Sequence, residues 1–265
     1  MTTRVLLIGC GRMGGALAAG WLKSGLVDAP VAVDPAPRDV PSGVSVVSDL
    51  ADVLDPLPDT ILLAVKPQMM DAVLPGLRAR LPHGALVISI AAGKPLSYLS
   101  AKLGTDVAIV RTMPNTPAAV GRGFTVCCAG PKVTSDQRSR TESLMKAVGQ
   151  VAWIEDESLM HAVTAVSGSG PAYVFLLIET LAEAGVSAGL PRDLSERLAR
   201  ATIVGSGELA GQSSDDPAKL RADVTSSGGT TAAALAVLTS EAGLENLMKR
   251  AVAAAAARSQ ELAKG

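Results

Sequence analysis

Six residues, Gly9-Cys10-Gly11-Arg12-Met13-Gly14, follow an apolar run ending at Ile8 and lead into the helix-like stretch Ala16 to Lys23. In such a turn the first glycine permits a tight bend, the second lets a pyrophosphate approach the backbone, and the third lets strand and helix pack closely. The free amides that open the following helix then face the phosphates. Twenty residues after Gly14, at the end of the second apolar run, stands Asp34. That is the spacing at which a carboxylate holds the adenosine ribose of a dinucleotide. Ile8, Gly9, Cys10, Gly11, Arg12, Met13, Gly14 and Asp34 are therefore candidate cofactor ligands, with NADPH or NADH as the cofactor. Asp34 would repel the added phosphate of NADPH, whereas Arg38 four residues later could pair with it, so these residues leave the choice open.

Three more segments end apolar runs where a ligand of an open α/β sheet binds. Ala64-Val65-Lys66-Pro67 closes one, and Ala91-Ala92-Gly93 closes the next with residues small enough for something flat to lie against the backbone. Met113-Pro114-Asn115-Thr116-Pro117 closes the third, where two prolines stiffen a loop around a single amide, making Asn115 a candidate for the nicotinamide edge. Far along the chain, Asp223-Val224-Thr225-Ser226-Ser227-Gly228-Gly229-Thr230-Thr231 gathers hydroxyls and backbone amides before the helix-forming run Ala232 to Leu238. A helix start of this kind binds a carboxylate or phosphate without a basic side chain, and capping of the helix by Ser or Thr is the alternative use of the same residues. Cys10, Cys127 and Cys128 show no metal-ligand spacing such as Cys-x-x-Cys, so no metal is expected.

The elements that must carry these residues fall into two parts. From Arg4 to Ile154 the apolar runs Val5–Ile8, Val31–Val33, Thr60–Val65, Leu86–Ile90, Val107–Arg111, Thr125–Cys128 and Val151–Ile154 alternate with helix-like segments. Nearly continuous apolar strands separated by helices predict a mainly parallel, doubly wound sheet buried on both faces. After Asp156 the pattern becomes long Ala- and Leu-rich helical stretches. The expected domains are thus 1–156, an α/β dinucleotide-binding domain, and 157–265, an all-helical one. The apolar window Pro171 to Leu190 carries Glu179 and Glu183 at its middle, too costly for a bilayer centre, and reads as a buried helix. Its apolar residues Val174, Leu177, Ile178, Leu181, Ala184 and Val186 cover more than one helix face, which predicts a homodimer.

Composition narrows the function. Of the 265 residues 48% are hydrophobic and 18% charged, a folding composition rather than a disordered one. Lys plus Arg number 24 against 25 Asp plus Glu, a net charge of −1, and there are two each of Phe, Trp and Tyr. Neither the field nor the stacking platforms for nucleic acid are present, nor is a surface for anionic membranes. Three cysteines, two of them adjacent, and the short first apolar run predict a cytoplasmic protein without disulfides or an export signal. The two histidines, His83 and His161, supply poorly the base needed to oxidise a hydroxy acid. Reduction of a C=N bond asks less, because an imine can arrive protonated and the protein then mainly positions it.

Taken in order, Ile8-Gly9-Cys10-Gly11 with Met13-Gly14, Ala64-Val65-Lys66-Pro67, Ser89-Ile90-Ala91-Ala92-Gly93, Met113-Pro114-Asn115-Thr116-Pro117, Ser167-Gly168-Ser169-Gly170-Pro171-Ala172-Tyr173 and Ser226-Ser227-Gly228-Gly229-Thr230-Thr231 resemble the motif set of the pyrroline-5-carboxylate reductases. The resemblance covers nearly the whole chain. It implies a Rossmann-type domain followed by an all-helical dimerisation domain, a homodimer that can assemble into larger rings, and NAD(P)H-dependent reduction of 1-pyrroline-5-carboxylate to L-proline, the last step of proline biosynthesis. By the same resemblance Gly9 to Gly14, Ala64 to Pro67, Ala91 to Gly93 and Asn115 line the cofactor. Ser226, Gly228, Gly229, Thr230 and Thr231 form the substrate cradle, with Thr231 reaching the ring nitrogen as the catalytic residue. Ser227 departs from the family's usual proline, and Asp34 from its usual neutral or hydroxyl residue. A related two-domain imine reductase or β-hydroxyacid dehydrogenase, and a dinucleotide sensor without turnover, are the alternatives. The window Val163 to Glu183 has no lysine for the dehydrogenase, and the intact Gly229-Thr230-Thr231 argues against the sensor.

Overall fold

The structure, a computed structural model, describes residues 3–264, so Met1, Thr2 and Gly265 at the ends of the expected domains lie outside it. The chain divides into two compact units, residues 1–168 together with 255–265, and residues 169–254.

In the first unit eight strands form one sheet: β1 (Val5–Ile8), β2 (Val31–Val33), β3 (Ser45–Val47), β4 (Thr60–Leu63), β5 (Leu86–Ser89), β6 (Ala108–Met113), β7 (Gly123–Ala129) and β8 (Gly149–Ile154). Their order is β3-β2-β1-β4-β5-β6-β7-β8, with β1 to β6 parallel. Each of the seven expected runs becomes a strand. The eighth, β3, is three residues long, only partly buried and at the sheet edge, too short to show a periodic pattern. The expected mainly parallel sheet carries one reversal, since β7 runs antiparallel to β6 and β8 parallel to β7. Only a short 3-10 turn, Thr116–Val120, lies between β6 and β7, and a parallel neighbour needs a longer crossover.

Helices cover both faces because the strands are apolar on both. On one side α1 (Arg12–Ser24) and α4 (Ser135–Lys146) bring Leu17, Ala18, Trp21, Leu144 and Met145 against Leu7, Leu62, Ile88 and Val110. The Trp21 indole N–H donates to the Leu144 carbonyl at 2.8 Å, so this large buried ring leaves no polar atom without a partner. On the other side α2 (Met70–Arg80) and α3 (Leu96–Leu103) pack Met70, Leu74, Leu77, Leu99 and Leu103 against Leu6, Ile61 and Val87. The strand order reverses at β1, which has β2 on one side and β4 on the other. Ligands of open α/β sheets bind outside the carboxyl ends of the strands at such a point.

A short helix α5 (Met160–Val163) and a π-helical turn, Thr164–Gly168, precede the second unit. That unit comprises α6 (Gly170–Ser187), α7 (Arg192–Gln212), α8 (Pro217–Asp223), α9 (Thr230–Leu238) and the start of α10 (Leu244–Lys264). α6 and α7 touch where side chains are smallest. The Ser195 hydroxyl donates to the Ala182 carbonyl at 2.6 Å, and a Cβ on Gly185 would lie 2.1 Å from that hydroxyl oxygen.

The expectation that 171–190 is a buried helix needs correction. Ala182 is the sole buried residue of α6, while Val174, Phe175, Leu176, Leu177 and Leu181 are exposed in the single chain. A unit this small has no surface with which to cover every apolar face of a helix. The helical stretch Glu157–Ser187 is long and apolar enough by length and composition to cross a membrane. With Glu179 and Glu183 inside it, a second protein surface is the less costly cover.

Candidate active site

The three glycines of the first turn divide by what the fold demands of them. Gly9 has φ +96°, and a Cβ there would sit 2.8 Å from the Ala64 carbonyl and 2.9 Å from the Val65 nitrogen. A Cβ on Gly14 would sit 2.4 Å from the Gly9 oxygen. Both are required for β1, α1 and the end of β4 to meet at all. Gly11 is different. It is the N-cap of α1 with φ −76°, a value any residue adopts, and a Cβ there would meet nothing within 4 Å. Neither strain nor packing calls for glycine at 11, so the open space beside it fits a ligand laid against the backbone. No side chain caps α1, which leaves its first amides to such a ligand.

Asp34 stands beside this turn. One carboxylate oxygen accepts from the Cys10 N–H at 2.7 Å and the other from the Ala36 N–H at 2.9 Å. The buried Cys10 thiol is pushed above its ordinary pKa, by burial first and by the Asp34 charge second, so it is protonated and inert at neutral pH. Ile8 is buried at the end of β1, Met13 is half-buried and Arg12 is exposed at the first helical position of α1. Gly9 to Gly14, Asp34 and Ala64-Val65 are thus brought together where the strand order reverses. Lys66 and Pro67 follow directly, with Lys66 exposed.

Ala91-Ala92-Gly93 and Asn115 follow β5 and β6 at the same carboxyl edge. Gly93 has a second reason to be glycine, since at φ +74° its Cβ would lie 3.3 Å from Leu262 of α10. Asn115 is held by its own amide: the oxygen accepts from the Phe124 N–H at 2.8 Å, and the nitrogen donates to the Ser167 hydroxyl at 3.2 Å. A second amide hydrogen is left for a ligand. The sequence offers Ser167 only as part of a motif and Arg111 only as the end of an apolar run, with no role for either. The Arg111 guanidinium is 5% exposed and pairs at 2.8 Å with Glu157, which also accepts the Leu96 N–H at 2.8 Å. This fixes the strand leading to Met113 and Asn115, and the signal for it is a charge at the end of an apolar run.

His161 is structural. Its Nδ1 lies 3.0 Å from the Ser259 hydroxyl, and burial first, then the Arg111 charge, lower its pKa below the ordinary value, so the ring is neutral at pH 7. Among the described residues no group of His, Cys, Asp and Glu could hold a metal ion.

The proposed substrate segment belongs to the second unit. The Ser226 carbonyl accepts from the Gly229 N–H at 3.1 Å, closing a turn in which Gly228 has φ +68°. Such turns favour proline at their second position, here Ser227, and need glycine at the third. The chain keeps the glycine and so keeps the turn. A Cβ on Gly229 would lie 2.3 Å from the Ser226 hydroxyl oxygen. Gly229 is the N-cap of α9, and no side chain bonds back to that helix start. Thr230 and Thr231 are its first two helical residues rather than its caps, with Thr230 exposed and Thr231 half-buried. The amides of the first turn and the Thr231 hydroxyl can therefore serve an anionic ligand with a polar ring atom.

The family profile described as pyrroline-5-carboxylate reductase dimerisation matches residues 157–262, and one described as NADP oxidoreductase, coenzyme F420-dependent, matches residues 4–93. A pyrroline-5-carboxylate reductase from a Synechocystis species is 49% identical over 209 residues, 78% of this chain and 76% of that protein. The chain belongs to the pyrroline-5-carboxylate reductase family. The solved reductase of Coxiella burnetii superposes with a TM-score of 0.91 at 35% identity, covering 100% of both chains. The pyrroline carboxylate reductase of Plasmodium falciparum, solved with NADP bound, superposes with a TM-score of 0.86 at 32% identity over 98% of each chain.

Proposed function

We propose that this chain, like the reductases it matches, reduces 1-pyrroline-5-carboxylate to L-proline with NADH or NADPH. The observation that carries the reading is that each unit has a helix start without a side-chain cap. The one at Gly11 has open space for a pyrophosphate, and the one at Gly229 has hydroxyls for a small carboxylate. A bound reduced nucleotide would supply a hydride to the imine carbon, and the proton that the imine nitrogen has already taken from solvent completes the secondary amine.

The chain's own residues bind and orient. Ile8 to Gly14 hold the pyrophosphate with Asp34 on the adenosine ribose. Ala64 to Pro67 and Ala91 to Gly93 line the dinucleotide, and Asn115 marks the nicotinamide end. The amides of Gly229, Thr230 and Thr231, in the turn that Ser226 and Gly228 shape, hold the carboxylate, and the Thr231 hydroxyl bonds the ring nitrogen. Positioning of this kind is the main demand when the acceptor is already cationic. The functional domains run 1–156 and 157–265, a division supported by the dimerisation profile beginning at 157. The chain works in the cytoplasm, which suits three free, buried cysteines.

Purified protein mixed with the pyrroline and reduced nicotinamide should consume the nucleotide and form proline in equal amounts. Proline absent from the products would overturn the reading. Assembly is a homodimer through the helical unit, with rings of dimers as a further level. Light scattering at micromolar concentration should return at least a dimeric mass. Leu177→Glu, which puts a charge on the exposed apolar face of α6, should shift the mass toward the monomer.

A further inference from the structure

We propose that Asp34 makes this reductase select NADH over NADPH. The inference rests on the first turn being the dinucleotide site, and goes beyond it by assigning the choice of cofactor. Asp34 is not an ordinary loop carboxylate free to turn away. Its two oxygens accept from the Cys10 and Ala36 N–H groups at 2.7 and 2.9 Å, and its own N–H donates to the Val47 carbonyl at 3.0 Å. Cys10 is fully buried, so swinging the carboxylate aside would leave the Cys10 amide without its acceptor in a place water does not reach. The carboxylate is therefore fixed beside the turn that contacts the pyrophosphate.

Each carboxylate oxygen keeps acceptor capacity beyond the bond it makes. A ribose 2′-hydroxyl is a donor and completes it. A 2′-phosphate near pH 7 brings close to two negative charges and acceptor oxygens, so it meets like charge and has no donor to offer. The segment from Asp34 to Asp49 contains one basic residue, Arg38, against three aspartates, Asp34, Asp39 and Asp49. Arg38 is exposed, and an exposed arginine in high dielectric offsets little of the repulsion. Two such charges a few ångström apart disfavour NADPH by about tenfold or more even at the dielectric of water.

Titration calorimetry with the intact protein, using NADH and NADPH without substrate, tests this apart from turnover. NADH should bind at least about tenfold more tightly, and the gap should narrow as salt is raised. Asp34→Asn, which removes the charge and keeps the shape, and Asp34→Ser should both bring the two affinities together by raising that for NADPH. Equal or tighter binding of NADPH by the wild-type protein would overturn the proposal, as would an unchanged ratio in both variants. Binding of neither nucleotide would overturn the dinucleotide site itself and the proposal with it. That outcome is distinct from tight binding without preference, which overturns the proposal alone.

Discussion

Gly11→Val is expected to weaken binding of both NADH and NADPH by at least about a hundredfold while leaving the melting temperature close to that of the wild type. The two halves of this result come from the same geometry. A Cβ at position 11 meets nothing within 4 Å and φ is −76°, so neither the backbone nor the first side-chain atom of valine is strained in the folded chain. The space it fills is the space proposed for the pyrophosphate. A side chain forced against a close-packed ligand typically costs about 1–3 kcal/mol, and lost bonds between phosphate and the helix amides add to that. A hundredfold change is about 2.7 kcal/mol, which lies inside that range. Gly14→Ala is the matched control. Its Cβ would lie 2.4 Å from the Gly9 oxygen, so this variant should lose thermal stability first. Calorimetric titration and a melting curve on each variant check the pair. A Gly11→Val protein that binds both nucleotides normally would remove the pyrophosphate from this turn.

Thr231→Ala is expected to lower kcat/KM by about tenfold to a hundredfold with nucleotide affinity unchanged. Removing a hydroxyl whose partner is then left without a bond costs about 1–3 kcal/mol, and an interaction with the reacting group appears in the rate. Thr230→Ala should cost less, because its proposed contribution is a backbone amide that alanine retains. Capping makes the opposite forecast, a lower melting temperature with normal turnover. The N-cap of α9 is Gly229, and neither threonine side chain bonds back to the helix start, so a thermal effect should be small in both variants. Kinetics and melting curves on both proteins separate the two roles. Full turnover in Thr231→Ala would end its assignment to the ring nitrogen.

Much of this site was legible in the chain because turns are local. The positions of Gly9, Gly11 and Gly14, the distance to Asp34, and the paired glycines before Thr230 depend on a few neighbouring residues, and spacing along the chain carries that information. The spacing could not say which glycines serve the fold. Only neighbours distant in sequence reveal that Gly9 and Gly14 meet Ala64 and each other, that Gly11 faces open space, and that Gly93 lies against Leu262. Asn115 was visible as a lone amide between prolines, whereas its bonds to Phe124 and Ser167 join residues nine and fifty-two positions away. The Arg111–Glu157 pair was missed for the same reason.

By itself the sequence determined the class of the fold, the place along the chain of seven of the eight strands and the chemistry on offer, while the order of the strands in the sheet came from the structure. Continuous apolar runs between helices leave few ways to bury both faces of a sheet. Tertiary structure decided three further things. It reversed β7, because the connection from β6 is too short for a crossover. It left the apolar faces of α6 open, since hydropathy reports that a surface must be covered and not by which chain. And it fixed the Asp34 carboxylate between two backbone amides: charge and spacing set which group stands near the ribose, but only packing sets whether that group can move away.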